Sequence, residues 1–270
     1  MNESAVIGIP AAVPKPSAPI EPLAQRTLRW VDVALIILSF ILLEMVFAPG
    51  FTRAVYSLMN RGNLSMERYP LPVLIQLTVQ EGMILLVIVC FALLRGLRLA
   101  DLGIRKTPFF WFLVGFGLLL VAFPVRICLG LVAHFAVGGT IENIAGVDDG
   151  TGFPIIASPA LAGLPNAFMV GVVAPVVEEL IFRAILYVKL RQRMGIIGAA
   201  LISSLFFGLI HPYIAMGVSA AVMGLVLAWL YEKSRSIWVP LILHVVNNSI
   251  LFALLVFAVG LQDLITRPGF

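Results

Sequence analysis

Charge is scarce in this sequence. Asp, Glu, Lys and Arg together make up 12% of the 270 residues, about half the share of a soluble domain. AVILMFWYC reach 61% and the mean hydropathy is +1.06, so lipid must solvate most of the chain. Period-two alternation is lacking as well. The apolar residues come in long unbroken runs, which excludes a porin-like barrel. Cysteine is limited to Cys90 and Cys128, in separate runs; they show no metal-ligand spacing and imply no disulfide framework. The motifs HExxH, G-x-S-x-G and the Walker A loop are all absent, which excludes a zincin helix, a nucleophile elbow and a phosphate loop as simple answers. Ser203, Ser204 and Ser249 have no elbow-like context, so activated water fits the inventory better than a covalent intermediate. The net charge of +4 is modest and follows membrane topology. No nucleic-acid partner is expected. There is no internal repeat, low-complexity tract or second soluble domain.

What is present reads as a membrane object. Residues 1–29 form a polar tail with prolines at 10, 14, 16, 19 and 22. It has no signal-peptide centre, and disorder is expected. Apolar runs follow at roughly 30–49, 71–94, 109–137, 159–188, 195–211, 213–231 and 237–260, most of them near the ~20 residues that span about 30 Å of hydrocarbon. The expected fold is all-α: a polytopic membrane bundle of seven helices, or eight if Pro124, or Pro165 and Pro175, break a run. Residues 30–158 make N-terminal membrane helices, 159–260 the chemically interesting half, and 261–270 a tail.

Orientation follows from lysine and arginine. With the N-terminus in the cytoplasm, inside segments hold Lys15, Arg26, Arg29, Arg95, Arg98, Arg105, Lys106, Lys189, Arg191, Arg193, Lys233 and Arg235. Outside segments hold Arg53, Arg61, Arg68 and Arg267, and Arg126 and Arg183 fall inside spans. That bias predicts N-in, C-out, with the acidic segment of Glu142, Asp148 and Asp149 facing outward.

A charge at the centre of a lipid-facing helix costs roughly 2.5–3.5 kcal/mol on insertion scales, so ionisable groups inside the runs are informative. Glu44, Glu81, Arg126 and His134 are scattered, and packing accounts for them, for example an interior pair of Arg126 with Glu44 or Glu81. Glu178, Glu179, Arg183, His211 and His244 cluster in the C-terminal half. In APVVEELIFRAIL, successive residues lie 100° apart, so Glu178 and Glu179 point in different directions. Glu179 and Arg183 are i,i+4 neighbours and can pair, which leaves Glu178 as a candidate general base. A single buried charge network of all three, holding helices together, fits the spacing equally well. In SSLFFGLIHPY, Phe207 precedes His211 by one turn on the same face; a lone histidine there is more often structural. In SIWVPLILHVVNNSI, His244 and Asn248 share a face with Asn247 close by. Such a pair can donate two hydrogen bonds to a developing oxyanion, or it can simply bond between helices.

Taken in order, Glu178-Glu179-x-x-x-Arg183, Phe207-x-x-x-His211 and His244-x-x-x-Asn248 resemble the signature of the CAAX prenyl protease type II family, which includes bacteriocin-processing and immunity-associated relatives. The IWVPLILH context is also similar, and the resemblance covers about residues 159–258. It implies an intramembrane endopeptidase in which Glu178 activates water with help from His211. His244 and Asn248 would stabilise the oxyanion, while Glu179, Arg183 and Phe207 support the site. The family is often labelled metalloprotease, and Glu178, His211 and His244 would make a zinc set with one open position; a metal-free glutamate–histidine mechanism fits the same residues.

At 1.5 Å per residue, His244 and Glu178 lie about 10 and 15 Å from the inner edge, but His211 about 24 Å. A short hairpin at His211-Pro212-Tyr213 that stays within the protein is expected to close that difference, with a cavity open to the cytoplasm. Two other functions fit the residues: a proton-coupled carrier using Glu178, His211 and His244 as a relay, and a non-catalytic scaffold or immunity protein that keeps the motif as a network. The expected partners are a peptide or membrane-protein substrate and the bilayer, in a bacterial plasma membrane.

Overall fold

The computed structural model describes residues 28–48, 50–51, 54, 57, 71–140, 164–211 and 213–266. Nearly all of the proline-rich tail, the acidic segment of Glu142, Asp148 and Asp149, the four outside arginines and Pro212 lie outside the described residues. The described part is helical throughout, and it arranges the apolar runs as seven helices.

Helix α1 (Trp30–Phe47) starts where Arg29 takes an extended backbone and its N–H donates to the Asp32 carboxylate at 2.7 Å, so an acidic side chain satisfies an otherwise unpaired donor. Helix α2 (Leu71–Leu94) ends at a turn whose Gly96 has φ +62°. A short 3-10 turn (Leu99–Leu102) then leads to α3 (Phe110–Ala136). Pro124 lies inside α3 without ending it. Helix α4 (164–194) is assembled from α-helical turns and two π-helical stretches, Met169–Val173 and Leu180–Tyr187. It breaks at Gly195, whose φ of +71° only glycine adopts at no cost. Helix α5 (196–209) follows, then α6 (Ile214–Ser234) and α7 (Trp238–Thr266). Pro165 falls in the first turn of α4, and Pro175 starts a turn within it. Neither proline adds an eighth helix.

Two boundaries differ from the sequence reading. The basic stretch Lys189–Met194, read as a connection, continues α4, and the last helix runs on to Thr266. Among the described residues four stretches are long and apolar enough to cross a membrane, Trp30–Phe47, Leu74–Leu94, Phe110–Ala136 and Ile214–Ser234, with Trp238–Leu254 shorter. Helix α5 rises only about 21 Å, and α4 carries six charged residues, Glu178, Glu179, Arg183, Lys189, Arg191 and Arg193. Of the two, α4 is enclosed by its neighbours over Ile181–Val188, whereas α5 leaves Ile197, Leu201, Leu205 and Leu209 exposed.

Lipid-exposed leucine, valine and phenylalanine cover α1, α2 and α3. Because lipid is as apolar as they are, helices must be held by close packing and polar contacts. Helix α6 packs on α3 on one side and α5 on the other, at small residues. A Cβ on Gly208 would stand 2.5 Å from the Gly217 carbonyl oxygen, and one on Gly130 equally close to that of Ala215. In α4, Ile181–Val188 is buried on every side, against Ile36 and Phe40 of α1 and Phe207 of α5.

The segments read as inside converge on one end of the bundle. Arg95 pairs with Asp32 at 2.6 Å, Lys189 Nζ donates to the Leu28 carbonyl at 2.8 Å, and Arg191 pairs with Glu232 at 3.2 Å. Ser236 Oγ donates to the Arg105 carbonyl at 2.6 Å. Arg191 explains why α4 continues: its partner on α6 is reached only if 189–194 stays helical. The close α5–α6 approach gives a direct test. Gly208→Ala should lower stability by roughly 1–3 kcal/mol, as overpacking does, while Gly117→Ala, where a Cβ meets nothing within 4 Å, should not. Thermal unfolding of both variants in detergent reads the difference.

Candidate active site

Glu178 and Glu179 stand at the last turn of a short α-helical stretch, immediately before the eight-residue π-helix Leu180–Tyr187. π-helical turns inside α-helices are rare and often occur at functional sites. Glu179 is fully buried, with its Oε2 at 3.2 Å from Arg183 Nε on the same helix. This is the expected i,i+4 pair. Its other oxygen accepts from His244 Nδ1 at 2.9 Å, so one carboxylate ties α4 to α7. The Arg183 guanidinium lies over the Phe207 ring at 5.0 Å, a favourable cation–π geometry in a dry site.

Phe207 is the pivot between the helices. Its ring makes edge contacts with His211 at 5.2 Å and with His244 at 5.6 Å between centroids, and Phe182 packs on it at 5.1 Å. His211 sits in the turn after α5, with Nδ1 against the Phe207 carbonyl at 2.8 Å. A carbonyl only accepts, so Nδ1 carries the proton and Nε2 of the neutral ring is left as an acceptor. The short α5 brings this turn back to the level of His244. His211 and His244 line one cavity of about 230 Å³ together with Asn247, Asn248 and Arg126.

The structure therefore brings Glu178, Glu179, Arg183, Phe207, His211, His244 and Asn248 to one place, with two departures from expectation. Glu178 is not alone: its Oε2 is 3.4 Å from His244 Nε2. It is not among the residues that line the cavity, and it is about one-sixth exposed. Arg126 does not pair with Glu44 or Glu81. It donates to Ser219 Oγ at 3.3 Å and to Asn247 Oδ1, whereas Glu44 accepts from Gln80 at 2.6 Å. Glu44 and Glu81 are near enough to act electrostatically on Glu178, a proximity across α1, α2 and α4 that sequence reading did not anticipate. The only signal for it was that each is a carboxylate within an apolar run. His134 is structural, with Nε2 at 2.9 Å from the Thr140 carbonyl beyond the end of α3.

The residues do not fit a bound zinc. Among the described residues no three of His, Cys, Asp and Glu converge as a metal set. The set of Glu178, His211 and His244 is not assembled as a metal centre, and His244 already holds Glu179 through Nδ1 and faces Glu178 through Nε2. No chemical step is derived through a metal.

This is an integral membrane protein, a helical bundle with charged and polar side chains gathered in its interior. Residues 160–250 match the family described as Type II CAAX prenyl endopeptidase Rce1-like, and that segment holds every residue of the three motifs. Over 116 residues the chain is 30% identical to YdiL of Bacillus subtilis (strain 168), a protein named as a candidate membrane peptidase. The match covers 43% of this chain and 43% of that protein, so the chain spans less than half the length of its relative. No solved structure matches the chain.

The Glu179 network has a measurable consequence. Glu179→Gln leaves a buried guanidinium without its counter-charge, at a cost of about 3–5 kcal/mol for a pair broken from one side. Adding Arg183→Met should recover most of that loss. Thermal unfolding in detergent of the two single variants and the double variant, beside wild type, measures it.

Proposed function

We propose that the protein is an intramembrane endopeptidase that hydrolyses a peptide bond with water activated by Glu178 and His211, without a metal. The observation that carries this reading is the arrangement of His244, whose ring stands between the carboxylates of Glu178 and Glu179 at the wall of a cavity that His211 and Asn248 also line. A carrier relay would not need an amide beside the second histidine, and a structural network would not need a cavity beside it.

In this mechanism Glu178, beside His244 Nε2, turns toward the cavity and takes one proton from a water that His211 holds there, and the water oxygen attacks the carbonyl carbon of the scissile bond. Nε2 of His211 is the free acceptor that helps hold this water, because Nδ1 is committed to the Phe207 carbonyl. The oxyanion that forms accepts hydrogen bonds from the Asn248 amide and, as an imidazolium, from His244; preorganised donors of this kind are the largest single contribution in many hydrolases. Glu179 holds His244 through Nδ1 so that Nε2 faces the reacting centre. Collapse of the intermediate breaks the C–N bond, and Glu178 returns its proton to the leaving amine. The substrate is a peptide or a membrane-protein segment.

Glu178→Gln keeps shape and hydrogen bonding but removes the proton acceptor. Turnover should fall by roughly 10²–10⁴, the usual range for a lost general base, with little change in thermal stability. Proteomics of membrane fractions from wild-type and Glu178→Ala cells should show an uncut precursor in the latter. If Glu179→Gln is well folded but inactive while Glu178→Gln still cleaves, the two roles are reversed.

We also propose that the protein lies in a bacterial plasma membrane with its basic end in the cytoplasm, on the balance of lysine and arginine. In a background with Cys90 and Cys128 replaced by serine, an impermeant maleimide should label Arg61→Cys in intact cells and Lys106→Cys only after lysis. The opposite pattern inverts the topology.

A further inference from the structure

Arg126 is a cation buried within a membrane helix, 3% exposed, and among the described residues no carboxylate stands within ion-pair distance of it. It lies over the Phe123 ring at 4.9 Å, donates to Ser219 on α6, and donates to Asn247 Oδ1 on α7. Neither hydrolysis nor the family's three motifs assigns it a task. Its place in the fold is nevertheless specific, because it lines the same cavity as the histidines and Asn248.

The chemistry of the contacts sets a direction. A guanidinium has only donors, so Asn247 must present its carbonyl oxygen to Arg126 and its NH2 group must point the other way. That NH2 donates to Asn248 Oδ1 at 3.0 Å. Asn248 is thereby required to use its oxygen as the acceptor, which turns its own NH2 away from Asn247. This NH2 makes a long contact of 3.4 Å to the Val170 carbonyl, on α4 at the cavity wall, and its second N–H is left for the cavity. Without a cation at the head of the chain, the two amides can reverse together: Asn248 would donate to Asn247 and turn its carbonyl oxygen toward the cavity. A developing oxyanion would then meet an acceptor in place of a donor.

We infer that Arg126, acting through Asn247, is a positioning residue that sets the Asn248 side-chain amide with its NH2 group toward the reacting carbonyl. The inference rests on the reading of Asn248 as an oxyanion donor. Charge-assisted hydrogen bonds are the stronger kind, and chains of them polarise one another in a low-dielectric interior. The same contacts that orient the Asn248 amide thus also strengthen it as a donor.

The decisive variant is Asn247→Asp. A carboxylate there accepts from Arg126 at least as well as the amide does, so the fold is kept. It cannot donate to Asn248, whose NH2 must turn toward it and away from the cavity. Processing is followed with the membrane precursor that accumulates in Glu178→Ala cells, using purified variants in detergent. Asn247→Asp should lose roughly 10²–10³ in turnover, the effect of removing one oxyanion donor. Its KM and thermal midpoint should stay close to wild type. In an Asn248→Ala background the same change should cost nothing more. If Asn247→Asp cleaves like wild type while Asn248→Ala is slow, the relay is wrong and the endopeptidase reading stands.

A second readout does not depend on cleavage. Arg126→Gln should move the side-chain amide resonances of both Asn247 and Asn248 in 15N spectra, and in an Asn247→Leu background it should leave Asn248 where it was. A shift of Asn248 that is the same in both backgrounds, or no shift at all, overturns the relay. If no precursor accumulates and Asn248→Ala changes no processing, the proposed hydrolysis fails, and the spectra alone decide whether Arg126 orients the amide.

Discussion

The Glu179 carboxylate, removed from water on every side, holds the site together. Burying one ionised carboxylate in a dry interior is costly unless its oxygens are fully engaged. Here one oxygen faces Arg183 on its own helix and the other accepts from His244 on α7. Arg183 in turn rests on the Phe207 face, and the same ring contacts both histidines. Moving Glu179 would release Arg183, then Phe207, then the two imidazoles. Such networks are poor sources of net stability but good fixers of position, and positioned groups are what hydrolysis by activated water requires.

The surroundings explain why so polar a centre survives in a lipid-facing protein. Helices α1, α2 and α3 present apolar side chains outward, and α4 is enclosed by its neighbours over Ile181–Val188. Irregular backbone at membrane depth is tolerated where protein covers it, and the π-helical stretches of α4 lie in that covered position. With little hydrophobic force between helices in lipid, association falls to close backbone approach and to hydrogen bonds. Gly208 against Gly217, Gly171 against Ser249 and Gly224 against Ser204 supply the first. The ion pairs gathered at one end of the bundle supply the second.

Much of the fold was legible because hydropathy marks spans directly. The run 71–94 coincides with α2, and 109–137 with α3 to within a residue at each end. Where the reading departed, a tertiary contact had outweighed a local signal. Lys189, Arg191 and Arg193 read as a solvated connection, yet Lys189 donates to the Leu28 carbonyl just before α1 and Arg191 reaches Glu232, so the helix continues. Pro124 read as a possible break, but α3 passes through it, since a membrane helix can make good a missing donor from neighbouring groups.

The same division runs through the site. The pairs Glu179–Arg183 and His244–Asn248 could be read from the sequence alone, because i,i+4 neighbours share a helix face whatever surrounds them, whereas His211 meets Phe207 from the turn after α5. Which helix faces which could not be read. That His244 reaches back to Glu179, that Arg126 finds Asn247 instead of a glutamate, and that Glu44 and Glu81 stand near Glu178 all depend on how each helix is rotated about its axis. Those rotations are set by π-helical turns and glycine contacts that leave no periodic trace in the chain. Local geometry is written residue by residue, whereas the meeting of α1, α2, α4 and α7 is decided only when every buried polar group must find its partner at once.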